Sequence, residues 1–456
     1  MSIPFGFGTS TGGGDEEGPG SGMPFFRELE RLMSWQGGPV NWDLAGQVAH
    51  RELAGAADPP VDAAAGGALG DAVRLADVWL DGVTALPSGV TKAEAWTRRR
   101  WLEATLPQWR ALCDPVAARV AEAMSQTLQG GLAALSGGEG LGAGLPEGLA
   151  EALPPGVDAG ALAGLFGGAG GVGGLGPLQA LVGQLGGMMF GAQVGQALGG
   201  LAGDVLASTE VGLPLGPAGV AALLPAGVTA FGEGLGVPPE EVLLFLAARE
   251  AAHHRLFAHV PWLRSHLGGL VEEYARGISI DPAAIAEAVQ GLDPTDPASV
   301  QKALGGGLFE VESTPVQRAA LARLETALAL VEGWVDAVVA EAVGGRLPGA
   351  VALRETVRRR RASGGPAEQA FATLVGLQLR PRRLREAATL WQALAEARGA
   401  DGRDAVWASL DLLPTADDLD DPLGFVRGED SAMDPIAEIE ALGDADAPRE
   451  DPPRPD

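Results

Sequence analysis

Arg249-Glu-Ala-Ala-His-His-Arg-Leu-Phe-Ala-His-Val-Pro-Trp-Leu263 holds three of the chain's five histidines, His253, His254 and His259, and a fourth, His266, follows closely. The remaining one is His50. Four of the five therefore fall within fourteen residues, a concentration that points to a use. The segment also reads as an altered metal motif. In H-E-x-x-H, two histidines one helical turn apart bind zinc and the glutamate acts as general base. Here the order is Arg249-Glu250-Ala251-Ala252-His253, so the base and second histidine are present while Arg stands at the first ligand position.

Outward from this stretch, Pro238-Pro-Glu-Glu241 predicts the start of its helix, with proline in the first turn and acids at the positive dipole end. The helix is expected to stop near Pro261. Trp262–Ile278 reads as the next helix, and Asp281-Pro282 as the cap of another. Ser313-Thr-Pro315 opens a long helix to Val343, ended by Gly344-Gly345. Arg354–Arg361 is strongly basic, placed either to offset nearby acids or to hold down an acidic tail. Gly364-Gly-Pro366 is a turn, and Phe371–Leu379 and Leu384–Ala397 are helical by pattern.

Toward the N-terminus, residues 1–22 form a flexible Gly-rich leader and residues 23–128 a helical region. Met23–Met33 reads as a short amphipathic helix. Asn41 or Asp43 is a cap for a helix through Leu44, Val48 and Leu53. Asp71–Leu80 carries apolar positions 73, 75, 78 and 80. Thr91-Lys-Ala-Glu94 has the form of a capping box opening a helix over Ala93–Leu106. Asp114-Pro115 is expected to cap another, running to Leu128. Trp96, Trp101 and Trp109 read as core anchors.

Residues 129–176 are a low-complexity Gly/Ala linker. Ala159–Gly203 contains no charged residue, and Gly183, Gly187, Gly191, Gly195, Gly199 and Gly203 recur every four positions. Such a stripe lets a second backbone approach closely. Gln179, Gln184, Gln193 and Gln196 interrupt the apolar run, and no Lys or Arg flanks it, so a core helix is expected rather than a membrane one. Asp204–Gly236 reads as a short helix, Gly/Pro turns and an apolar segment. Residues 177–426 form the main helical domain. Residues 427–456 hold ten acids against three bases, the composition of a disordered acidic tail.

Composition sets the class. With 456 residues and 46% hydrophobic content the chain can bury a sizeable core. Ala, Leu, Gly and Val dominate and Tyr occurs once, which favours a mainly α fold. A net charge of −27 excludes general nucleic-acid binding. The single cysteine, Cys113, excludes an internal disulfide and a cysteine-based zinc site. A reducing cytoplasm is the default location, and oligomeric state is not readable.

His253 offers a ligand and Glu250 a base, but Arg249 has no lone pair to give. His254 points about 100° round the helix from His253. His259 lies near the helix end, where only a chain reversal brings it back. The further acidic candidate is Glu332 in Leu330-Val-Glu-Gly-Trp-Val-Asp336, with Asp336 one turn on. An acid among Ala, Leu and Val needs a partner, whether a metal, an Arg or a His, and the alternative to a metal is a salt bridge of Glu332 or Glu250 with Arg249.

Taken together, Arg249–Leu263, the Glu332-Gly-Trp segment and Leu377-Gln-Leu-Arg-Pro-Arg-Arg-Leu-Arg385 resemble the zincin-like zinc-dependent metalloproteases of actinobacteria, often labelled simply hydrolases. The Gly-Phe-Gly near the N-terminus, Trp35–Trp42, the Gly187–Gly203 helix and Pro414-Thr-Ala-Asp-Asp-Leu-Asp421 are similar too. The resemblance covers most of residues 23–426. It implies a zincin-like multi-helix domain and a zinc cofactor, with Glu250 as catalytic base, His253 as zinc ligand and Glu332 as distal acidic ligand. It also implies a peptide or protein substrate. Arg249, His254, His259 and Asp336 are the supporting candidates. The departure at Arg249 keeps a second expectation open, a catalytically inactive zincin fold used for binding or scaffolding.

Overall fold

The computed structural model describes residues 38–55, 57–136, 175–210, 212–277, 314–362 and 383–428. The readings at residues 1–37, 137–174, 278–313, 363–382 and 429–456 lie outside the described residues. These include the leader, the first amphipathic helix, most of the linker, the Asp281 cap, the helix at 371–379 and the acidic tail.

The described part is mainly α. Helix α1 (Trp42–Leu53) is capped by Asn41, whose side-chain oxygen accepts from the Leu44 N–H. It packs along α4 (Leu175–Asp204), and Gly191, Gly195 and Gly199 of the glycine stripe form the line of contact. A Cβ at Gly191 would lie 2.5 Å from the Asn41 carbonyl oxygen, one at Gly195 2.6 Å from that of Ala45, and one at Gly199 2.6 Å from Glu52 Cβ. The glycines thus serve helix packing, and no described helix is long and apolar enough to cross a membrane. Gly195→Ala is expected to cost about 1–3 kcal/mol by overpacking. Gly203→Ala, with nothing within 4 Å of the new methyl, should be neutral or stabilising by up to about 1 kcal/mol. Urea denaturation of the two variants checks the contrast, and equal effects would remove the close approach.

Helix α2 (Ala63–Leu80) begins earlier than Asp71, because Asp62 caps it through the Ala65 N–H. Leu69, Val73, Ala76 and Leu80 are buried, while Leu75 and Val78 are exposed, 41% and 65%. The core face follows the 3.6-residue period, and positions 75 and 78 fall on its opposite side.

The expected capping box at Thr91 is instead the edge of a strand. β1 (Lys92–Ala95) pairs in parallel with β4 (Val220–Leu223), and the Thr91 N–H donates to the Gly219 carbonyl. The Glu94 carboxylate accepts from Trp96 Nε1 and pairs with Lys92. Helix α3 (Arg98–Ser136) starts later, where the Asp58 carboxylate accepts from the first free N–H groups, those of Arg98 and Arg99. It runs on through Pro107 and Pro115, so Asp114 opens no new helix; its carboxylate accepts from Trp42 Nε1. Trp96, Trp101 and Trp109 are core residues, as their size and surroundings suggested.

Between α4 and the next helix the chain makes two short strands, β2 (Thr209–Glu210) and β3 (Leu213–Pro214), paired antiparallel, before β4. Helix α5 (Pro225–Gly232) follows. The central helix α6 (Pro239–His259) starts with Pro239, Glu240 and Glu241 as expected and is buried almost continuously from Val242 to Leu256. Helix α2, strand β4 and the later segments Pro315–Val343 and Ala350–Ala362 surround it. Helix α7 is Pro261–Arg276, and α8 is Pro315–Val343, opened by a Thr314/Gln317 capping box. Helices α9 (Ala350–Ala362), α10 (Leu384–Asp404), α11 (Ala416–Asp420) and α12 (Pro422–Gly428) complete the described chain. Gly333 lets α10 close onto α8, since a Cβ there would meet Ala387 Cβ at 2.6 Å.

Candidate functional site

Because α6 is covered on all sides, its polar residues must find partners inside the protein. They do so in three directions. Arg255 turns to α2, where its guanidinium binds the Asp77 and Asp81 carboxylates. Arg249 and His253, one turn apart, face α8. Glu250 and His254, also one turn apart, face the strands.

On the α8 side, Arg249 Nη2 donates to Glu332 Oε2 at 2.6 Å. His253 Nδ1 lies 2.8 Å from the Arg249 carbonyl oxygen, and Nε2 lies 3.2 Å from Glu332 Oε1. A carboxylate oxygen only accepts, so that second contact is a hydrogen bond when Nε2 also carries a proton. Arg361 of α9 donates to the same Oε1 at 3.0 Å. Glu332 is almost wholly buried. Burial alone pushes its carboxyl pKa up, but the Arg361 and Arg249 charges and the His253 contact outweigh this and hold it well below the usual carboxylate range. Gly212, at φ +71°, sits against this carboxylate; a Cβ there would come within 3.2 Å of Glu332 Cγ. Asp336, one turn further along α8, is occupied separately, with its Oδ2 accepting from Arg354 and Arg358.

On the strand side, Glu250 accepts from the Ser208 and Thr209 hydroxyls, from the Ala222 N–H at 3.2 Å and from the Thr209 N–H at 3.4 Å. His254 Nε2 lies 3.3 Å from Glu250 Oε1. Burial raises the Glu250 pKa, but the contacts and charge of His254 and the two hydroxyl bonds bring it down to about 2. A general base works best with a pKa near the operating pH, so a carboxylate in this setting is a weak proton acceptor at neutral pH. Its geometry is that of a fixed anion tying α6 to β2 and β4. His259 is exposed at the C-terminal end of α6 and is not brought back to the group.

The structure thus brings Arg249, His253 and Glu332 together, places Glu250 and His254 beside them in a second cluster, and gives Asp336 its own arginines. The basic run Arg354–Arg361 offsets the acids of α8, one of the two roles open to it. Arg354, Arg358 and Arg361 share one face of α9, and Glu332 and Asp336 share one face of α8. That matched spacing is a signal in the sequence. Ser208 and Thr209 carry none, because only the strand positions beside α6 give them meaning.

A zinc site of the kind the motif suggests needs three protein ligands and an open position for water. Two donors suit it. Nδ1–H on a backbone carbonyl is a common orientation for a ligating histidine. The 3.2 Å between His253 Nε2 and Glu332 Oε1 is near the roughly 3.4 Å expected for two ligands of one tetrahedral zinc. The rest of the set does not suit it. Among the described residues no three His, Cys, Asp or Glu side chains are grouped to hold a metal. Both Glu332 oxygens already accept from guanidinium groups, and the third position is a cation. The residues present do not fit zinc.

No curated protein matches the chain. A solved structure from Chloroflexus aurantiacus, titled as "a putative hydrolase with a novel fold", is similar with a TM-score of 0.55 and 20% identity, over 86% of this chain and 99% of that one. At that identity the likeness speaks for the fold alone. A sequence model described as zincin-like metallopeptidase matches residues 40–426, which include α6, α8 and the Arg249–Glu332 pair. The chain belongs to the zincin-like metallopeptidase family.

Proposed function

We propose that this chain is a metal-independent member of its family, acting by binding rather than by peptide hydrolysis. The observation that carries the reading is the buried Arg249–Glu332 ion pair, 2.6 Å long, at the position where the motif asks for a metal. Its environment is consistent with that role, since Arg361 and His253 complete the shell around Glu332 and Glu250 is held as a structural anion. A cytoplasmic location fits the single buried cysteine.

A second reading, a zinc-dependent hydrolase acting on peptide bonds, draws support from the family and from the orientation of His253. In that reading His253 and Glu332 hold the metal with a further group and Glu250 serves as base. Isothermal titration with zinc separates the two, using the wild type and Arg249→His. The first reading expects no stoichiometric zinc in the wild type and one zinc per chain in the variant, where two histidines one turn apart join Glu332. One zinc per wild-type chain would overturn it in favour of the hydrolase.

A further inference from the structure

Helix α9 (Ala350–Ala362) covers the Arg249–His253–Glu332 cluster, and it does so with little apolar surface. Its buried large apolar side chains are Leu353 and Val357, one turn apart, while Val351 is exposed. Its polar hold on α8 comes from three arginines. Arg354 and Arg358 share the Asp336 carboxylate, and Arg361 reaches Glu332. A row of arginines at i, i+4 and i+7 thus meets two carboxylates one turn apart.

The two sides of this contact differ in burial. The Glu332 and Asp336 side chains are 3% and 1% exposed, whereas those of Arg354 and Arg358 keep 23% and 20%. The two arginines already touch water at the rim. Lifting α9 returns them to solvent at low cost and wets the Asp336 carboxylate in their place. The N-terminal end of α9 is fixed in another way. The Gly349 N–H donates to Glu241 at 2.7 Å, at the start of α6, and a Cβ at Gly349 would lie 2.6 Å from Val237 Cγ1. One end is seated by close backbone packing, and the other is latched by charge.

What α9 covers gives this arrangement a use. Leu246, Arg249 and His253 of α6 and Val357, Arg360 and Arg361 of α9 line one space of about 40 Å³, room for a few water molecules. Nothing larger fits beside His253 while α9 is closed. We propose that α9 is a hinged lid over the cluster, latched by Asp336 and turning about Gly349 without unfolding of α6 or α8. Segments that uncover a binding face open at lower free energy than the core beneath them, and a short helix held by rim arginines meets that condition. The proposal goes beyond the binding reading and does not rest on it, because the latch at Asp336 lies outside the cluster.

Cys113 is the chain's one cysteine and is buried in α3, so a thiol introduced by Val357→Cys reports on α9. Alkylation of this full-length variant by iodoacetamide, followed site by site by mass spectrometry, tests the lid. The introduced thiol is expected to react at least about tenfold faster than Cys113. Adding Asp336→Asn removes the charge of the latch and should speed the introduced thiol by a further factor of about ten to a hundred, with Cys113 unchanged. Hydrogen exchange of the wild type gives a second reading that needs no variant: the amides of α9 are expected to exchange ahead of those of α6 and α8. Equal reactivity of the two thiols, acceleration of both by Asp336→Asn, or exchange of α9 together with α8 in one step would make α9 a fixed part of the core and overturn the proposal.

Discussion

Glu332→Ala is expected to destabilise the protein by about 3–5 kcal/mol, the cost of removing one side of a buried charge network. The carboxylate accepts from Arg249 and Arg361 and contacts His253, all in the interior between α6, α8 and α9. Its removal takes away the buried carboxylate to which both guanidinium groups donate. Glu332→Gln keeps the shape and loses the charge, so an intermediate loss is expected. Arg249→Met is expected to cost less, about 1–3 kcal/mol, because Arg361 still serves Glu332 and the new side chain is apolar. The double variant is the decisive one. Residues in direct contact show coupling of about 0.5–3 kcal/mol, so Arg249→Met should cost much less once Glu332 is Ala. Urea denaturation of the four proteins gives the cycle, and strictly additive effects would mean the pair does not exist in solution.

A second large effect is expected in acid. Glu250 titrates near 2 in the folded protein against an ordinary value of 4.5. The unfolded chain therefore takes up the proton first as pH falls. The stabilisation from this group is complete above about pH 4.5 and is lost progressively toward pH 2. A difference of roughly 2.5 units corresponds to about 3 kcal/mol. Glu332 is shifted in the same direction and adds to the same acid limb. Glu250→Gln is expected to lose about 3 kcal/mol at neutral pH and to show a flatter decline between pH 4.5 and 2. Chemical denaturation at pH 7 and pH 3 checks this. Wild type and variant losing stability in parallel would mean that Glu250 is not held in its network of donors.

The parts of this fold that were legible in the sequence are those with local causes. Proline and two acids announced the start of α6, Thr314 with Gln317 the start of α8, and Asn41 the start of α1. The glycine spacing in α4 announced a close neighbour, which proved to be α1. Glu332, an acid inside an apolar helix, announced the need for a partner, and its pairing with Arg249 was one of the alternatives.

Other features depend on contacts far apart in the chain. Thr91–Glu94 has the residues of a helix cap, yet it pairs with a strand more than a hundred positions away. Asp114-Pro115 has the residues of a helix start, but α3 passes through both prolines and the aspartate goes to Trp42. The environment of Glu250 was hidden for the same reason. Nothing near Glu250 in sequence says that Ser208, Thr209 and Ala222 will close around it, yet those contacts turn the motif's base into an anchored anion. The motif residues were visible in the sequence, but what each of them does depends on neighbours contributed by other elements.

The most direct test of the central claim is an anomalous difference map at the zinc absorption edge, from crystals of the wild-type protein grown with equimolar zinc. The account predicts no peak between His253 and Glu332, with the Arg249 guanidinium seated on the Glu332 carboxylate. A peak about 2.0–2.2 Å from both His253 Nε2 and a Glu332 oxygen, with Arg249 displaced, would contradict it and make the protein a zinc enzyme after all.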